Sequence, residues 1–84
     1  MPYHKDKQQA FQSAQQGYTE AVNAHNELVI DASNYGHQLS HLQNEVLEAY
    51  QQIENALEVA SEHQRAQLER FQHDLGQIMS QMNE

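Results

Sequence analysis

The segment Leu57-Glu58-Val59-Ala60-Ser61-Glu62-His63-Gln64 carries two opposed signals, and the architecture follows from whichever prevails. Ser61 followed three residues later by Gln64 spells a capping box, with acidic Glu62 placed where it favours a helix N-terminus. Against a break, no Gly, Pro or Asn lies between Leu57 and Gln72, and an apolar stripe crosses the site in phase. The stripe runs Leu39, Leu42, Val46, Tyr50, Ile53, Leu57, Ala60, Gln64, Leu68, Phe71, Leu75, Ile78 and Met82. Its mean step of about 3.6 residues is the straight-helix period, not the period of about 3.5 of a sustained coiled coil.

Length arbitrates. One helix from His37 to Met82 would be about 69 Å long, at ~1.5 Å per residue, against about 45 Å for a first helix of roughly 30 residues. Leu68, Phe71, Leu75 and Ile78 would then overhang their partner and be covered only in an oligomer. A break at Ser61 instead gives an all-α, antiparallel three-helix bundle that covers them internally. It places helices over about 4–32, 38–60 and 62–82 of a single domain, 1–84. The alternative is a long helical hairpin that dimerises into a four-helix bundle.

Upstream, a weaker stripe runs through Phe11, Ala14, Tyr18, Val22, His25, Val29 and Ala32. The turn between the halves is read at Ile30-Asp31-Ala32-Ser33-Asn34-Tyr35-Gly36. Asn and Gly tolerate the left-handed conformation that ends helices, and Asp, Ser and Asn satisfy turn backbone. Ser40-His41-Leu42-Gln43 spells a second capping box for the helix that follows.

Composition excludes several classes of function. The chain of 84 residues has 38% hydrophobic and 19% charged residues, and 14 Gln with 6 Asn and 6 His fill the gap. With no cysteine there is neither a disulfide framework nor thiolate chemistry. A formal charge of −8, from 12 acidic and 4 basic residues, disfavours nucleic acid and anionic membrane as partners. Nothing approaches the ~18 consecutive apolar residues of a membrane span. Met1-Pro2-Tyr3-His4-Lys5-Asp6-Lys7 leads into Gln8-Gln9 and not into the apolar core of a secretory signal, so a cytoplasmic location is expected.

Four patterns bear on chemistry. His37 and His41, with Glu45 four further on, share one helix face at the spacing zinc-binding helices use. Gln38 stands where a zinc protease carries its general-base glutamate, and an amide cannot accept that proton. His37 in the turn and His41 on a solvated face account for the same spelling. Ala10, Ala14, Gly17, Ala21 and Ala24 recur at steps of four and three, a face of small residues that lets another backbone approach closely and is read as packing against the second helix, with a homo-oligomer or partner helix as the alternative. Glu54, Glu58 and Glu62 form an acidic ridge, read as a solvated face. His25 borders the core, and His63 and His73 pair with Glu62 and Glu69 on the surface. The serines lack a His and acid constellation, and the glycines are too scattered to cradle a phosphate.

Leu47-Glu48, Asn55-Ala56-Leu57, Ala60-Ser61 and Gln64-Arg65-Ala66-Gln67-Leu68-Glu69-Arg70 carry a resemblance. Over residues 45–82 the chain resembles a family of small Gln-rich helical proteins of Bacillus-like spore-forming bacteria that has no assigned activity. The resemblance implies a cytoplasmic bacterial protein, no catalytic residues and a helix start after Ser61. Tyr35-Gly36 also looks like the aromatic-glycine turn of small exported Trp-x-Gly hairpins, although the intervening residue is missing and the aromatic is Tyr.

The expectation is therefore a non-enzymatic helical protein acting through protein contacts or self-association, as a homodimer or with another helical protein. It needs no cofactor and no small-molecule substrate. A metal-binding protein using His37, His41 and Glu45, and a small exported hairpin, are the alternatives.

Overall fold

The computed structural model describes residues 6–29 and 33–82. Three helices follow one another: α1 Lys7–Asn26, α2 Tyr35–Leu57 and α3 Glu62–Met82. Each packs on the other two, and α1 lies most closely on α2. The bundle measures 47 × 27 × 16 Å, too short to hold an unbroken helix from His37 onward.

The break falls at Ser61, and its chemistry is reciprocal. Ser61 Oγ accepts from the Gln64 N–H, and Gln64 Oε1 accepts from the Ser61 N–H, each at 3.2 Å. These bonds satisfy donors that a helix start otherwise leaves orphaned. Arg65 Nη2 donates to the Leu57 carbonyl at 3.1 Å and so closes the end of α2.

The other boundaries differ from expectation. α1 starts behind Asp6, whose carboxylate accepts from the Gln8 N–H at 3.0 Å, and it ends at Asn26, well before residue 32. Residues 4, 5 and 30–32 lie outside the described residues. α2 starts at Tyr35 and not at 38, so Ser40 is interior to the helix and caps nothing. Gln38 explains the earlier start. Its Oε1 accepts from the Val29 N–H at 3.0 Å and its Nε2 donates to Asn34 Oδ1 at 2.6 Å, tying the connection to the first turn of α2. Among the described residues none has positive φ, so no left-handed Asn34 or Gly36 is used.

The core is built from Ala14 and Ala21 of α1, Leu42, Val46, Ala49, Ile53 and Ala56 of α2, and Leu68, Leu75 and Ile78 of α3. The α2 set advances by steps of four and three, matching the small-residue face of α1 step for step. A Cβ on Gly17 would lie 3.3 Å from the Ala49 Cα, so the two backbones nearly touch there. An antiparallel register through that point sets Ala10 opposite Ala56 and Ala24 opposite Leu42. Consequently Ala49 and Ala56 take the buried places that the stripe assigns to Tyr50 and Leu57, and these two are only half-buried. Val29, also expected in the stripe, is 57% exposed because α1 has already ended.

α3 is seated on α1 by larger groups. Tyr18 stacks on Phe71 with centroids 4.3 Å apart and planes 16° from parallel, and Phe11 lies 6.2 Å from the same ring. The Tyr18 hydroxyl donates to Asp74 Oδ2 at 2.6 Å. His25 Nε2 donates to Gln81 Oε1 at 3.0 Å. Phe11, Tyr18 and His25 recur every seven residues, so one edge of α1 serves α3 while the adjacent edge serves α2.

Candidate functional site

On the side of the bundle away from α3, the seam between α1 and α2 opens into a groove of about 620 Å³. His37, His41 and Glu45 of α2 line it, as their helical spacing requires. Facing them are Glu20 of α1 and Glu27, which caps its C-terminus, seven residues apart and thus on one edge of that helix. His41 Nε2 lies 3.8 Å from Glu45 Oε1, a long contact in which the histidine is 63% exposed and the carboxylate 18% exposed. Farther along the seam, Glu20 and Glu45 recur with Gly17 and Glu48 in a smaller recess of about 190 Å³. The residues lining the two recesses include four glutamates and no Lys or Arg.

Among the described residues, no group of three or more His, Asp or Glu converges closely enough to hold a metal ion. The fold thus brings His37, His41 and Glu45 to one groove without bringing them to one point. The small face behaves differently. Ala14 and Ala21 are fully buried, Ala10, Gly17 and Ala24 are half-buried, and α2 covers them. The acidic ridge is divided, because Glu54 lies within α2, Glu58 caps it and Glu62 opens α3. His63 and His73 accept hydrogen bonds from Gln67 and Gln77 at 3.2 Å and do not pair with Glu62 and Glu69.

Two arrangements escaped the sequence. Glu20 and Glu27 belong to the groove only because α1 turns its small face to α2, which places the neighbouring edge on the seam. The signal was present in their seven-residue separation beside Ala24. Tyr18 with Asp74 is the second. The bond to Asp74 is the main reason that the Tyr18 phenol is held above its ordinary pKa of 10.0, with burial and the Asp74 charge adding and the Arg70 charge opposing. Burial alone raises Tyr50. Both phenols therefore stay protonated at neutral pH, and Tyr18 serves as a donor, not a base.

At the opposite end of the bundle from the Ser61 turn, His25, Leu28, Tyr35, Leu39, Gln81 and Met82 surround a recess of about 260 Å³. Leu47 stands out on α2, 58% exposed. Among the described residues no helix is long and apolar enough to cross a membrane. No family model matches this chain, and no curated protein or solved structure is significantly similar to it.

Proposed function

We propose that this chain is a non-enzymatic helical protein of the bacterial cytoplasm that acts through protein contacts, with self-association as the leading form. The observation that carries the reading is the thinness of its core. Of the ten buried hydrophobic residues among those described, four are alanine, and the described aromatic residues are only half-buried. Alanine removes little apolar area from water, and small domains already bury a modest share of their surface. A chain so constituted gains stability from covering more of itself with a second copy. The resemblance of residues 45–82 to small bacterial helical proteins supports the location. Sedimentation equilibrium from micromolar to millimolar concentration tests the reading. The expected result is a mass that rises from the single-chain 9.7 kDa towards twice that value. A constant 9.7 kDa throughout overturns self-association.

A further inference from the structure

We infer that the second copy is recruited by exchange of α3: the turn at 58–61 straightens, α2 and α3 join into one helix, and α3 takes its seat on the partner's α1 and α2. This rests on the self-association proposed above and specifies its geometry.

The turn leaves α2 still in helical conformation. α2 ends at Leu57 and α3 begins at Glu62, and Glu58 between them has φ −63 and ψ −28, which are helical values. No glycine, proline or positive φ occurs in the turn to hold it bent. The buried and half-buried positions Leu57, Ala60, Gln64 and Leu68 keep helical spacing across it, so straightening preserves a single apolar face. What opposes straightening is local and polar. The Ser61 and Gln64 capping bonds stand in for main-chain bonds, and the Arg65 guanidinium occupies the Leu57 carbonyl. In a continuous helix that carbonyl would instead accept from the Ser61 N–H. Exchange therefore replaces a clasp of side chains with backbone bonds of the same kind as those flanking it.

The seat of α3 also suits exchange. Its contacts with α1, namely Tyr18 to Phe71, Tyr18 to Asp74 and His25 to Gln81, involve side chains that meet identically whichever copy supplies the helix. Gly17 and Ala49, by contrast, bind α1 to α2 within each copy. The joined helix, Tyr35 to Met82, would be about 72 Å long. Exchange of an identical element is a low-cost route to a dimer, because every α3 contact of the monomer is re-formed, and the added cover falls where the two straightened hinges pass, at the half-buried Leu57, Val59 and Ala60.

Three proteins test the exchange. Ser61→Ala removes the cap, and about a fivefold rise in the ratio of exchanged to closed chains is expected. Glu62→Pro suits the first position of a helix but forbids a continuous one, and it is expected to remain monomeric. In the wild type, cysteines replacing exposed Glu48 and His73 take spin labels, with no native cysteine to interfere. Doubly labelled chains are diluted into unlabelled excess so that only the distance within a chain is read. Exchange sets it at about 37 Å, along one helix. Neighbouring antiparallel helices, with axes about 8–10 Å apart, give a much shorter one. A dimer that keeps the short distance overturns exchange and leaves self-association standing. Monomers throughout, Ser61→Ala included, overturn both. A folded Glu62→Pro protein, by circular dichroism, that dimerises like the wild type also overturns exchange, and should it not fold, Ser61→Ala and the label distance decide.

Discussion

Two neighbouring residues of α1 serve different interfaces: Gly17 lies against Ala49 of α2, while Tyr18 stacks on Phe71 of α3 and bonds to Asp74. The first interface works by nearness. Small side chains let the backbones close in, and many weak dispersion contacts add up along the seam. The second works by size and direction, with rings, a phenol bond and the buried Leu68, Leu75 and Ile78. A seam of the first kind tolerates little added volume, whereas a seat of the second kind tolerates little loss.

Leu75→Ala should show the largest effect, because it opens a cavity where α3 has its deepest hold. A loss of about 2–5 kcal/mol is expected, read as a fall of the thermal midpoint by circular dichroism. Gly17→Leu tests the other interface and should cost about 1–3 kcal/mol through overpacking against the Ala49 backbone. Undiminished stability there would remove the case for close approach. Gly76→Ala should act in the opposite sense, since a Cβ would meet only the Tyr50 hydroxyl at an ordinary 3.6 Å. Helix propensity then governs, and a gain of about 0.5–1 kcal/mol is expected.

Alkaline pH addresses the polar part of the α3 seat. The folded protein holds the Tyr18 proton above the ordinary value of 10.0, mainly through Asp74. A group whose folded pKa is raised contributes stability that is complete below its unfolded pKa and vanishes as pH passes the folded one. Thermal midpoints should therefore decline above about pH 10, less steeply in Tyr18→Phe, and less again when Tyr50→Phe removes the second raised phenol. Zinc should have the smallest effect. With no converging set of ligands, micromolar zinc is expected to leave the ring signals of His37 and His41 unmoved in NMR spectra.

Legibility along the chain followed the range of the interactions. The Ser61 capping box was readable because both its partners lie within four residues, and the α3 stripe because Leu68, Leu75 and Ile78 are large enough to mark a face unaided. The start of α2 was not, because Gln38 sets it by reaching back to Val29 and Asn34, and an amide side chain announces no such bond in advance. Spacing placed Tyr50 and Leu57 in the stripe, yet proximity to Gly17 gave the centre of the α2 face to alanine.

Periodicity required helices, and the capping box with the length argument favoured a stop at Ser61, since these signals lie close in sequence; the choice against one long helix from His37 came from the tertiary structure. Which edge of α1 meets α3 was settled only in three dimensions. Close approach already pointed the small face to α2, whereas the aromatic edge of Phe11, Tyr18 and His25 finds its partner only once α3 is packed on it. The pairing of Glu20 and Glu27 with His37, His41 and Glu45 across the groove is a consequence of that assignment, and no local rule contains it.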